Sequence, residues 1–176
     1  MSYYRTRTYI AGDWTGDIDA INQLKKWNDS QYWNLSFTDA HEEIQARDSS
    51  LNCSIKRSLK ERLDMSKTFI LIVGKNTKDL TAGGCRYCDS YNSWGGYCAR
   101  RNSVDHRSYI EYECEKAYEA YRRGEMKIVV LYNSTYVDKS KCPDILRYTG
   151  NHAPMLSGSL YGKSWDYYSV KRAIDY

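Results

Sequence analysis

Two periods of apolar residues run through this chain, and they alternate. Thr6 to Ala11 reads as a first strand, ended by Gly12. Asp17 then stands where a helix cap belongs, ahead of Ile18, Ile21 and Leu24, and predicts a helix to about Trp27. A weaker apolar stretch, Trp33 to Phe37, predicts a short strand. Asn52 or Ser54 opens a second helix, with Ile55, Leu59 and Leu63 at steps of four as an amphipathic stripe. "TFILIVG", Thr68 to Gly74, is continuously apolar and rich in β-branched residues, as expected of a strand covered on both faces. A further helix is predicted from Tyr109 to Arg123, with Gly124 as its stop and Arg122 and Arg123 in its last turn. "KIVVLY", Lys127 to Tyr132, is a second fully buried strand. Beyond it, Pro143 and Pro154 punctuate a loop region, and Ser164 to Ile174 reads as a terminal helix bearing Trp165, Tyr168 and Ile174.

Strand and helix in alternation predict a doubly wound α/β fold with a mainly parallel sheet, of flavodoxin-like topology, in a single domain over residues 1–176. One segment, about residues 78–107, is too long for a plain connection and forms an insertion. Such folds bind ligands outside the carboxyl ends of the strands. The candidates are therefore Gly12, Asp13 and Trp14 after the first strand, Thr38, Asp39 and His41 after the second, and Gly74, Lys75, Asn76 and Thr77 after the third. His41 on its loop reads as a surface histidine.

Charge changes this picture little. The 26 basic and 22 acidic side chains leave a net +4, too mild to argue for nucleic acid as a partner. Arg100, Arg101 and Arg107 gather near one another, as surface arginines or as an anion cradle. No apolar run reaches the length that spans a bilayer, and the N-terminal residues lack the apolar core of a signal peptide. The expectation is a cytoplasmic protein without a membrane partner, whose six cysteines are free thiols. Eighteen tyrosines against two phenylalanines point to many half-buried positions with a polar tip.

Chemistry concentrates on the helix that begins "SYIEYECEKAYE". Ser108 and Glu111 have the S-x-x-E spacing of a capping box, which gives Glu111 a structural task. Ile110, Cys114, Ala117 and Tyr121 share one stripe that must face the sheet. At about 100° per residue, Glu115 and Glu119 fall on the solvent side, and Glu113 lies roughly 70° from the stripe centre, on a shoulder facing the rim where ligands bind. Of the four glutamates, Glu113 is the candidate for chemistry.

The order of elements, with "YIAGDW" at the first strand, "DMSKTFILIVGKNT" at the third and "SYIEYEC" opening the next helix, resembles the TIR-like domain family, and within it the TIR-like proteins of bacterial Thoeris anti-phage systems. The likeness spans most of residues 5–132. It departs at Gly12-Asp13-Trp14, where many relatives carry serine or arginine, and at the insertion. The resemblance implies cleavage of the nicotinamide–ribose bond of NAD, a substrate and not a cofactor, with Glu113 as the catalytic carboxylate four positions after the aromatic Tyr109. Asp13, Trp14, Asp39 and Tyr109 would line the NAD site. It further implies a cyclic ADP-ribose-type product that diffuses to an NAD-depleting, ThsA-like effector, and it leaves room for self-association. Two rivals stand beside this reading: a non-enzymatic TIR-like interaction module, and a flavodoxin-like nucleoside deoxyribosyltransferase, which also uses a glutamate.

Within the insertion, Cys85, Cys88, Cys98 and His106 follow the spacing C-x2-C-x9-C-x7-H. Either they close on a zinc ion that stiffens the loop, or the segment is a glycine- and tyrosine-rich flap with free thiols beside Glu113. None of these residues is assigned as a metal ligand. Cys53, Cys114 and Cys142 read as small core or surface residues.

Overall fold

The computed structural model of the chain describes residues 7–33, 35, 37–39 and 51–176. In chain order its elements are β1 (Arg7–Ala11), α1 (Ile18–Asp29), α2 (Asn52–Asp64), β2 (Ser66–Val73), β3 (Tyr91–Asn92), β4 (Tyr97–Cys98), α3 (Tyr109–Arg122), β5 (Lys127–Tyr132), β6 (Asn151–Pro154), β7 (Leu156–Ser159), β8 (Gly162–Trp165) and α4 (Tyr167–Asp175). The main sheet runs β1-β2-β5-β6, and every pairing in it is parallel. On the outer edge of β1, Asp39 makes an isolated parallel bridge with Thr8, whose N–H donates to Thr38 O at 2.8 Å. The segment after α1 therefore lies outside β1, and the order reverses between β1 and β2. This is the doubly wound arrangement, with its switch point at that place.

Side chains of the three central strands alternate strictly between two apolar layers, as the pleat requires. Tyr9, Ala11, Phe69, Leu71, Val73, Ile128 and Val130 face α2 and α3. Ile10, Ile70, Ile72, Val129 and Leu131 face α1 and α4. Burial on both faces explains why β2 and β5 are apolar without interruption. Shortening a fully buried leucine such as Leu71 to alanine in such a layer costs about 2–5 kcal/mol.

Several elements differ from the sequence expectation. Trp33, Leu35 and Phe37 do not form a strand, and the parallel contact comes at Asp39 instead; residues 34 and 36, like His41, lie outside the described residues. Asp17 holds the cap position of α1 without capping it, because its carboxylate is turned toward Asn133. α2 opens at Asn52, one of the two residues expected to begin it, with Leu51 before it and no side-chain cap. Pro154 ends a strand, β6, at the edge of the sheet, where a missing N–H is tolerated. Ser164 and Trp165 belong to the hairpin β7–β8, so the last helix starts at Tyr167, capped by Asp166. Tyr121, assigned to the stripe that faces the sheet, is exposed, and Ala120 takes the inward place on α3; Ile18 on α1 is exposed as well.

Candidate functional site

α3 begins as its sequence dictates. Ser108 Oγ accepts from the Glu111 N–H at 3.2 Å, and the Glu111 carboxylate accepts from the Ser108 N–H at 2.6 Å, a complete capping box. Glu119 pairs with Lys116 at 2.9 Å and Glu115 with Arg107 at 2.5 Å, both partly exposed. Glu113 behaves differently from all three. It is 5% exposed and turns inward, where the Tyr9 hydroxyl of β1 donates a hydrogen bond to its Oε1.

The shoulder position expected for Glu113 is therefore corrected: it lies in the interior of the layer and not on an open rim. The reason is α2, which packs against α3 and covers the flank that a single helix over a sheet would leave open. Burial pushes the Glu113 carboxyl up from 4.5 to about 7, against the downward pull of the Tyr9 hydrogen bond and the Arg62 charge. The same neighbourhood raises the Tyr9 phenol, through burial first and the Glu113 charge second. Arg62, from α2, is also buried; it donates to Ser58 Oγ at 3.0 Å, while its Nε has no hydrogen-bond partner among the described residues. Three buried ionisable side chains from three elements thus meet in one apolar layer. A carboxyl raised by burial while it keeps one specific donor is the kind of group on which active sites are built.

The residues expected to line the NAD site are not gathered around Glu113. Asp13 closes a turn on itself, its Oδ1 accepting from the Thr15 N–H at 3.0 Å. Trp14 is partly exposed, with Lys25 Nζ 5.2 Å from its ring centre, and the same Lys25 pairs with the buried Asp39 at 3.1 Å. Trp14 and Asp39 are thereby joined through α1, on the face of the sheet opposite α3. Tyr109 is wedged between α2 and the insertion. Its hydroxyl donates to Asn52 Oδ1 at 3.0 Å, and Gly83 lies so flat on its ring that a Cβ there would come within 2.5 Å.

At the strand ends the crevice is partly filled. Asp17 is buried, its Oδ1 accepts from Asn133 Nδ2 at 3.0 Å, and burial raises its pKa. A Cβ at Gly74 would meet the Asp17 carboxylate at 1.9 Å, so a side chain there would have to displace that carboxylate from its place beside Asn133. Thr77 Oγ1 accepts from the Gly74 N–H at 2.8 Å. A cavity of about 310 Å³ opens beside the start of α3, lined by Thr77, Lys78, Arg107, Ile110 and Glu111 among others; Glu113 is not in its wall.

The insertion is tied down at both ends. Cys85 N–H donates to Asp105 O at 2.9 Å, and the buried Lys56 Nζ donates to Arg107 O at 2.6 Å and pairs with Asp105 at 3.4 Å. Arg107 is held by Asp105 and Glu115 and lies 5.0 Å from the Tyr112 ring centre, so it is occupied within the protein; Arg100 and Arg101 are exposed. Between the tied ends stands the small β3–β4 hairpin, with Trp94 fully exposed at its turn. Cys85 Sγ accepts from the Asp105 N–H at 3.1 Å, and His106 packs edge-on against Tyr91. Among the described residues no three of the Cys, His, Asp and Glu side chains converge as a metal site, and the cysteines are free thiols.

Sequence reasoning missed Tyr9 and Arg62. The available signal was Tyr9 itself, a hydroxyl in the middle of a strand buried on both faces, which requires a polar partner.

Among the described residues no helix is long and apolar enough to cross a membrane. No curated protein matches the sequence. Residues 1–82 match the family described as Thoeris protein ThsB, TIR-like domain; the matched stretch takes in β1, α1, α2 and β2, and α3 with Glu113 follows it. Over those residues, and in its parallel sheet covered by helices on both faces, the chain resembles the TIR-like domain of the Thoeris protein ThsB.

Proposed function

We propose that this protein is a cytoplasmic Thoeris-type enzyme that cleaves the nicotinamide–ribose bond of NAD, with Glu113 as the catalytic carboxylate. The observation that carries the reading is the state of Glu113: buried, bonded to one fixed donor and held close to neutrality. In the reaction the C1′–N bond breaks and its electron pair passes to the pyridinium nitrogen, so nicotinamide leaves as a neutral base without a general acid. The ribose develops oxocarbenium character, which a carboxylate stabilises, as in glycoside cleavage. A water or a second ribose hydroxyl then attacks C1′ and loses its proton. Attack by the hydroxyl gives a cyclic ADP-ribose-type signal, which in a Thoeris system would reach a ThsA-like effector that depletes NAD. Asp13, Trp14, Asp39 and Tyr109 remain the candidates for contact with NAD, although among them only Trp14 and Asp39 share a partner, Lys25.

Pure protein incubated with NAD should release nicotinamide, and a mass spectrum of the nucleotide product distinguishes linear from cyclic ADP-ribose. No release above that of Glu113→Gln ends the enzymatic reading. A second reading, an interaction module that docks through the insertion, is favoured by one observation: Trp94 is 100% exposed, with the partly exposed Tyr97 beside it on the hairpin.

A further inference from the structure

Tyr9 sits at the centre of β1 with no exposed surface, its ring stacked on Phe69 at 5.8 Å between centroids and 17° between planes. β2 on one side and the α2–α3 layer on the other leave that ring no alternative orientation. Its hydroxyl therefore points in one direction, and the atom it meets is Oε1 of Glu113, 104 positions away in the chain. A phenylalanine would pack the same space. The hydroxyl adds a polar donor to an apolar layer, where an unmatched polar group is costly, and it adds it opposite the one buried carboxylate of α3.

We propose that Tyr9 is the positioning residue of Glu113: its hydroxyl fixes the carboxylate by one oxygen, so that the other is presented to the ribose without a search over rotamers. The inference rests on the NAD-cleaving reading above. A carboxylate has two oxygens and several acceptor directions, and one rigid donor on Oε1 leaves Oε2 as the oxygen for substrate. Electrostatic stabilisation of a developing cation works best when the stabilising group is already in place. Among the described residues, the ionisable groups that share charge effects with Glu113 are Tyr9 from β1, Arg62 from α2 and Cys114 on α3 itself. β2 contributes only the apolar Phe69, Leu71 and Val73 to this layer, and Tyr132 from β5 is engaged with His152 at 2.9 Å. Of these groups only Tyr9 donates a hydrogen bond to the Glu113 carboxylate. It favours the ionised form, so its loss moves the titration of Glu113 upward.

The test is Tyr9→Phe, which keeps the ring and removes the hydroxyl. Hydrogen bonds to charged groups have a strength equivalent to about one to two pH units. The acid limb of kcat against pH should therefore move up by that amount, with kcat at pH 7 falling about five- to fifty-fold and KM for NAD little changed. NMR of a 13C-labelled Glu113 carboxyl, without substrate, should show the same upward move and serves as a second measurement on the folded variant. Tyr9→Leu removes ring and hydroxyl together and should reproduce the loss of kcat at lower stability. If the wild type turns over NAD and Tyr9→Phe keeps both its kcat and its acid limb, the positioning role is overturned and the enzymatic reading stands. If the wild type releases no nicotinamide at any pH, the enzymatic reading falls and the role of Tyr9 with it.

Discussion

Replacing Glu113 by glutamine should make the protein more stable, and only at neutral and alkaline pH. The native carboxyl titrates at about 7, against an ordinary value of 4.5 for the unfolded chain. Between those values the unfolded chain has released its proton while the native state still holds one, so native stability falls as pH rises through the window and levels off above it. At about 1.4 kcal/mol per pH unit the gap corresponds to roughly 3 kcal/mol. That figure already includes the favourable effects of Tyr9 and Arg62, since both act within the native titration. Glutamine resembles the protonated acid in shape, and its carbonyl can still accept from the Tyr9 hydroxyl. Relative to wild type, the variant should be close to neutral at pH 4.5 and roughly 3 kcal/mol more stable at pH 8.5. For a chain of this size that is a rise in Tm of roughly 6–12 °C. Thermal or urea melts of both proteins at the two pH values measure it, and titrating groups that do not feel the Glu113 charge cancel in the comparison. A difference that does not change with pH, or a glutamine variant less stable at pH 8.5, would refute the buried, proton-holding state of Glu113. The same substitution should abolish nicotinamide release, so stability and activity should move in opposite directions.

Three further outcomes follow from the surroundings of α3. Ser108→Ala removes the hydroxyl of the capping box and should cost about 1 kcal/mol in urea melts, whereas Glu119→Gln, which touches only Lys116, should cost well under that. Gly83→Ala should cost about 1–3 kcal/mol, because Gly83 has φ +99° and the added methyl meets the Tyr109 ring; melts together with Tyr109 fluorescence read both effects. Lys56→Met leaves the Arg107 carbonyl without its donor and should cost about 1–3 kcal/mol, with faster amide exchange at Cys85 as the local signature.

What the sequence discloses here depends on distance along the chain. β2 and β5 are legible because each carries its own apolar run, and the start of α3 is legible because Ser108 and Glu111 satisfy each other three positions apart. β6 is not, since "NHAP" has neither length nor apolar pattern and is held by its register with Val129 to Tyr132. Asp17 has the residue type and the place of a cap, but Asn133, more than a hundred positions later, competes for its carboxylate and prevails. The candidate site follows the same rule. Glu113 could be singled out from helical angle, yet its burial required knowing that α2 covers that flank, and its tie to Tyr9 joins two segments with no local signal in common. Trp14 follows β1 and Tyr109 opens α3, whereas Asp39 sits in the edge bridge to Thr8 and not after a strand; which partners the three meet depends on where α1 and the insertion pack.

The closed stem of the insertion also governs what the chain tolerates. Cys85 and Asp105 are bonded backbone to backbone and Lys56 grips the Arg107 carbonyl that follows, so the insertion is anchored to the rest of the domain at its two ends. Lengthening or rewriting residues 86–104 changes a loop whose closure entropy grows only slowly with length. The segment is in this sense an exchangeable cassette. Its surface can diverge quickly between descendants of one ancestor while β1, β2 and α3 stay fixed, and a foreign peptide spliced between the same two anchors should be displayed without disturbing the Glu113 layer.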